Sequence, residues 1–433
     1  MVLLDENAIK SMAPGRFFRD HKGAVNSLDF HHTEDVMVTV GTFDRPAKNP
    51  GVLPAPKAPH ARGSLRRARS RGEARGSLQR PSARTTRAAR ASPPSPRNPE
   101  ARSSLTPPSR PRGSRFFVRR PPLAKPFSSG DDDALHLYRT NTGTLLKTLY
   151  SKKYGCSCVT FTHASQAVVY ASKVKAASKD PRKDHALRYH SLHDNTYLRY
   201  FVGHTKQVVS VSMSAKTDQF LSAAADHTIR LWDLRTNQCN GVVRCATTPA
   251  VAYDAQGLIF AAATDDGEVR LYDARGYDKG PFNTIAIGGV KGAVDPSTGK
   301  RPRVTCAKFS DDGNDLMCVA GGAVYIHSAF APFEEVRRID VATETGGSGG
   351  KRGGGGLEAL DLEACWTPDG RYVLSGGADS RVHVWSVRSG SKVTTWQSRH
   401  AGVPSSVRWA PGSMMAASAC TEGGCALWIP QIE

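Results

Sequence analysis

One unit recurs along the chain, and it limits the fold more than composition does. Its clearest copy is "GHTKQVVSVSMSAKTDQFLSAAADHTIRLWDLR", residues 203–235. The copy alternates apolar and polar residues at period two in three short runs, the pattern of half-buried strands. Trp232 closes it, and Asp226 stands six residues earlier. The closing slot recurs as Tyr138, His190, Tyr272, His327, Trp385 and Trp428. The slot six residues earlier holds Asp132, Asp184, Asp226, Asp266, Gly321, Asp379 and Glu422, and five aspartates in seven positions are too regular for coincidence. His21, His204 and His400 form a third register at one common spacing ahead of a β-patterned run.

Successive closing slots are 52, 42, 40, 55, 58 and 43 residues apart. A WD-type propeller blade takes about 40–45 residues. The three long intervals each contain a loop: "KVKAASKDPRK", "GGVKGAVDPSTGKRP" and "GGSGGKRGGGG". The expectation is an all-β, seven-bladed WD-repeat β-propeller. A blade of this size cannot bury both faces alone, so neighbours must pack face to face around a channel. "GRFFRDH", residues 15–21, is placed to supply the outer strand of the last blade and so seal the ring.

His204, Asp226 and Trp232 invite a catalytic reading, because His–Asp pairs move protons. A repeated set fits scaffold better: the Asp holds a tight turn, the His links to it, and the Trp N–H finds a hydroxyl, with Ser222 the expected acceptor. His21, Asp132, Asp184, Asp266, Asp379, Trp385, His400 and Trp428 are assigned to the same structural network. "GAVDPSTGKR" lacks the first glycine of a phosphate loop and has Arg301 where Ser or Thr would hold magnesium. "GGSGGKRGGGG" reads as a flexible loop, and His31 and His32 as an isolated pair in a turn. GxSxG and HExxH motifs are absent. No catalytic constellation, cofactor site or metal site is expected.

The formal net charge of +20 suggests a nucleic-acid partner until it is located. Between Arg45 and Lys125 stand 21 Lys or Arg against Glu73 and Glu100, which leaves 38 bases and 37 acids elsewhere. Joining Val40 directly to Ser128 gives "VMVTVSSGDDDALHLY", matching "DQFLSAAADHTIRLWD" in pattern and length. The expected organisation is therefore 1–40, the closing strand and the start of blade one, then 41–127, a disordered Arg/Pro-rich insertion, then 128–433, the rest of the propeller. Sixteen of 27 prolines fall inside that insertion, which is too poor in apolar residues to fold. Long surface insertions cost little loop entropy, about 0.6 kcal/mol per doubling of length. Three origins compete: a basic arm for nucleic acid or nuclear import, a tolerated low-complexity insertion, and a translated intron. The near-repeats "ARGSL", "ARGSL" and "ARSSL" favour a passive or artefactual origin. A peptide map of the native protein separates them, since peptides from inside 41–127 exclude the intron.

Nine cysteines follow no disulfide or zinc spacing, as suits a reducing compartment. "MVLLDENAIK" lacks the apolar core of a signal peptide, and no apolar run has membrane-spanning length. An intracellular, soluble chain is expected.

Several strings are more specific than blade chemistry requires. "TLYSKKYG", "SLHDNTYLRYFVGH", "QGLIFAAAT", "YDKGPF" and the ending "LWIPQIE" closely resemble the WD-repeat subunit of COMPASS-type histone methyltransferase complexes. The resemblance covers about residues 15–40 and 128–433, and departs from the family at 288–302 and 346–356. It implies a non-catalytic nuclear propeller that helps place a methyltransferase at transcribed chromatin. In some lineages such subunits also serve RNA cleavage and polyadenylation or a type 1 phosphatase complex. Expected partners are protein subunits, with nucleic acid bound only indirectly or weakly through 41–127. The alternative from another class is a direct RNA- or DNA-binding protein acting through its arginine segment. A blade needs no "SKKYG" between strands, so Lys152, Lys153 and Tyr154 are candidate partner contacts. His193, Asp194 and Tyr197 are further candidates, although "HDN" also makes an ordinary turn.

Overall fold

In the third repeat the sequence alternation becomes four strands, Val208–Met213, Gln219–Ala224, Thr228–Asp233 and Cys239–Arg244, paired antiparallel in that order. Register sets Phe220 opposite Trp232 and Ser222 opposite Arg230, so Trp232 and Ser222 are diagonal neighbours on one face. The hairpin between the second and third strands turns on Asp226 and His227, the latter at φ +62°. The residue after the Asp slot has positive φ in four more blades: Gly267, Gly322, Ser380 and Gly423. That backbone state tightens the hairpin and suits glycine best.

The computed structural model describes residues 4–42, 133–152, 154–173, 184–287, 301–341 and 362–431. Among them are seven four-stranded antiparallel sheets, the seven expected blades. In blade seven, Met12–Phe18 pairs outside Cys425–Pro430, with Met12 opposite Pro430 and Phe18 opposite Cys425, so the two chain ends share one sheet as expected. A short helix, Glu6–Lys10, precedes this strand. Its Ile9 is fully buried beside Trp396 and Trp428, and the Ile9 carbonyl accepts from the Trp396 indole at 3.0 Å.

The apolar core lies between blades. Seven buried clusters occur among the described residues, one at each blade interface: Phe201, Phe220 and Trp232 join blades two and three, while Val38, Leu135 and Tyr170 join blades one and two. Inner strands line a channel of about 1040 Å³, where Glu363 lies 3.5 Å from Arg408 and 3.8 Å from Lys308. All nine cysteines are free. Among the described residues no helix is long and apolar enough to cross a membrane.

In blade one the second strand runs Val36–Thr42, two residues beyond the Val40 read from the pattern, because Gly41 pairs with both Val25 and Ala134. Residues 43–132, including Asp132 and nearly all of the Arg/Pro-rich segment, lie outside the described residues. So do Lys153, most of 288–302, and 346–356.

Candidate functional site

Two sets of residues compete as the working part of the molecule. The first is the blade network. His204 is fully buried, with Nδ1 3.0 Å from Asp226 Oδ2 and Nε2 2.7 Å from Ser222 Oγ. The Trp232 indole donates to the same Ser222 oxygen at 2.8 Å. Burial opposes ionisation of Asp226, but donors from His204, the Thr205 N–H and Thr228 outweigh it and hold the carboxyl below its ordinary range. Asp226, His204 and Ser222 thus have the composition of a hydrolase triad. Ser222, however, has no exposed surface, and its oxygen already accepts from Trp232. No substrate reaches it; the arrangement pins strands.

Other copies vary the network. In blade seven, His400 Nε2 and the Trp428 indole share Ser418 Oγ at 2.7 and 2.9 Å. In blade one, His21 Nε2 lies 2.7 Å from Thr39 Oγ1, while Tyr138 donates to Asp20. Asp266 takes the Thr264 hydroxyl and lies 3.6 Å from Arg270, and Asp184 is buried beside His185. Blade six departs from expectation. Asp379 is held by His383 at 3.0 Å, and the buried Trp385 indole meets no acceptor among the described residues. Ser375, the equivalent of Ser222, donates instead to the Gly376 carbonyl.

The second set lies on the outer rim of blades one and two. "SKKYG" follows the outer strand of blade one, Thr144–Tyr150, while "HDNTY" leads into the outer strand of blade two, Thr196–Phe201. Ser151 binds the Gly155 carbonyl through its hydroxyl, and Gly155 has φ +64° with the Lys173 carbonyl 2.2 Å from where a Cβ would stand. Only glycine permits that close approach, and it sets the path of the loop. Tyr154 is thereby laid 3.8 Å from the guanidinium carbon of Arg188. Arg188 is 1% exposed; it donates to Ser172 and to the Ala186 carbonyl, and Tyr200 faces it from 5.9 Å.

The remaining rings continue the surface. Tyr197 packs 4.7 Å from His190 and 5.5 Å from Tyr200, and its hydroxyl accepts from Tyr170 at 3.3 Å. Lys152 lies 5.3 Å from the Tyr150 ring, which is 62% exposed. Lys147 donates to the Leu192 and His193 carbonyls at 3.0 and 2.8 Å, tying blade one to the "HDN" turn. His193 and Asp194 pair at 2.6 Å, exposed, at the far side of that turn.

Of the six rim residues singled out from sequence, Tyr154 and Tyr197 are brought together through Arg188 and Tyr200, and Lys152 lies on Tyr150. His193 and Asp194 pair with each other at the opposite end of the outer strand of blade two; Lys153 lies outside the described residues. Sequence reasoning missed Tyr150, Arg188 and Tyr200. Tyr150 and Tyr200 stood within the quoted strings, and Arg188 was visible as a charge inside an apolar strand, "ALRYHS".

The comparisons bear on both sets. The WD domain, G-beta repeat family matches residues 12–45, 195–233 and 359–386. The Drosophila melanogaster WD repeat-containing protein 82 is 37% identical over 312 residues, 71% of this chain and 87% of its own length. The COMPASS component SWD2 of Saccharomyces cerevisiae is 31% identical over 60% of this chain and 71% of its own length. The chain belongs to the WD-repeat family of COMPASS-type subunits. The Set1 complex component swd2 of Schizosaccharomyces pombe is likewise similar, at 33% identity over 57% of this chain and 64% of its own length. Within this COMPASS-type family the sealed blade network fits a scaffold. Among the described residues, the rim of blades one and two leaves aromatic and basic side chains exposed.

Proposed function

We propose that the chain is a non-enzymatic scaffold subunit of a nuclear COMPASS-type histone methyltransferase complex, helping to place it at transcribed chromatin. The contact surface in this reading is the aromatic and basic rim of blades one and two. The observation that carries it is the joining of two sequence strings, unneeded by blade architecture, into one exposed patch. Kinship to a named COMPASS component supports the choice of complex. Cofactors and metals have no part in the mechanism: the rigid ring presents a surface, and affinity comes from burying aromatic anchors there.

Affinity purification of the tagged full chain from nuclear extract tests the reading. Methyltransferase subunits are expected among the recovered proteins. Recovery of RNA-cleavage or phosphatase subunits alone overturns the choice of complex. Concentration of 21 bases between Arg45 and Lys125 favours a second reading, direct nucleic-acid binding through 41–127. Salt-dependent RNA or DNA binding that vanishes on deleting 41–127 supports it, whereas unchanged complex assembly after the same deletion supports the scaffold.

A further inference from the structure

In six blades the third strand runs directly on to the outer strand. Four of these connections, 140–143, 192–195, 234–238 and 387–391, have four or five residues and no Phe, Tyr or Trp. Blades four and five depart from that pattern. Residues 274–282, "ARGYDKGPF", and 329–334, "AFAPFE", are longer and carry four aromatic rings. The first contains "YDKGPF", a string that blade architecture does not require. Both connections are braced. Tyr277 lies over Gly241 of blade three, where no side chain fits, and donates to the Asn240 carbonyl at 3.1 Å. The Phe282 N–H donates to the Leu271 carbonyl at 2.9 Å. In blade five the Ser328 hydroxyl accepts from the Phe330 N–H at 3.2 Å, and the Phe330 carbonyl accepts from the Phe333 N–H at 2.8 Å. Phe333 closes that turn at φ +60°, a strained state for a bulky residue, and packs on the core between blades four and five. Its ring stands 6.4 Å from that of Phe282, which brings the two turns together. Phe282 and Phe330 are nevertheless 53% and 62% exposed, and Val336 on the adjoining outer strand is 46% exposed.

We propose that Phe282, Phe330 and Val336 form a second docking surface, on the rim of blades four and five, for a partner-protein segment that carries apolar side chains next to lysine or arginine. The proposal rests on the scaffold reading and adds a contact separate from the rim of blades one and two. Exposed rings held on braced turns lose little freedom on binding, and burying them supplies the affinity. Charge selects the base. Along the blade-four turn, Asp273 and Asp278 offset Arg275 and Lys279. Beside Phe330 and Phe333 stand Glu334 and Glu335, both exposed. The bases that follow them are engaged: Arg338 pairs with Asp340 at 2.8 Å, and Arg337 donates to the Arg388 carbonyl of blade six at 2.7 Å. Acids are thus left over at the phenylalanine turn, where they attract a basic segment and oppose nucleic acid. A second copy of this chain would bring the same acids to the same place, so like charge opposes self-pairing.

A benzophenone side chain placed in the full chain at 330, or in a second chain at 336, and photolysed in intact cells tests the inference. The expected adduct falls on a partner-protein segment in which apolar residues adjoin lysine or arginine. Its yield exceeds that of a probe at 429 on blade seven, where Ile429 is 36% exposed. With the probe at 336, Phe330→Ala and Glu334→Lys are each expected to lower the adduct about tenfold. Phe330→Tyr retains it, and thermal midpoints stay within the wild-type range, because both side chains lie outside the core. No adduct from 330 or 336 above that from 429 overturns the proposal. So does an adduct yield that both Phe330→Ala and Glu334→Lys leave unchanged. An adduct on a second copy of this chain, on its own residues 41–127, on nucleic acid or on an acidic segment overturns the stated occupant. An adduct of the expected kind on a protein from outside any methyltransferase complex leaves this inference standing and sinks the choice of complex.

Discussion

Ser222 receives the Trp232 indole and contacts His204, so removing its hydroxyl strands two buried polar groups at once. Ser222→Ala is expected to cost about 2–6 kcal/mol, from about 1–3 kcal/mol for each of two unsatisfied groups, measured as a shift of the urea midpoint. His400 carries a pH signature. Burial pushes its imidazole down to about 4, from an ordinary 6.5. The folded state keeps it neutral while the unfolded chain takes a proton near 6.5. Its contribution is therefore complete above pH 6.5 and is lost as pH falls from there through about 4. The loss is at most about 3 kcal/mol, and His400→Gln is expected to flatten that part of a stability–pH curve. At this scale the repeated copies made much of the network legible: once Trp232 and Asp226 were aligned, Ser222 was the hydroxyl within reach. Trp385 was misleading for the same reason, since it has the slot residue but its blade holds Asp379 through His383, two residues before it on the same strand.

Hairpins and loops convert those contacts into register. His227 and Ser380 occupy the positive-φ position that Gly267, Gly322 and Gly423 fill in other blades. His227→Gly is expected to stabilise blade three by about 0.5–1 kcal/mol, read as a raised thermal midpoint. Gly155→Ala acts oppositely at the rim. Its Cβ would meet the Lys173 carbonyl at 2.2 Å, so the loop must lift and carry Tyr154 away from Arg188. Partner recovery should fall more than global stability does, which separates a positioning role from a core role. The rim was half legible. Strings foreign to blade chemistry drew attention to Tyr154 and Tyr197, but no local pattern says that two strings about 40 residues apart meet side by side. That follows only once the first two blades are docked through Val38, Leu135 and Tyr170.

Across the whole molecule, stability is distributed over seven interfaces that each depend on the next, and the seam of blade seven keeps the series closed. Deleting residues 1–18 removes the outer strand of that blade and takes Ile9 from beneath Trp396. The truncated chain is expected to unfold at a lower temperature and over a broader range than the full chain, and calorimetry on both checks this. Repeat period and the position of "GRFFRDH" made ring and seam readable in the sequence. The helix Glu6–Lys10 escaped notice because five residues carry too little periodicity to signal a helix. The route of the chain through blade one has a separate consequence. Gly41 and Ala134 are paired neighbours, so the backbone leaves and re-enters the sheet at adjoining points. A protease cut between 43 and 132 would sever the polypeptide and leave the pairing of Gly41 with Ala134 in place. The amino-terminal fragment would stay bound through Met12–Phe18 at one blade and Ala24–Thr42 at the next. Limited digestion should therefore yield one species on a native gel that resolves into two under denaturing conditions, a split protein that reassembles from its halves.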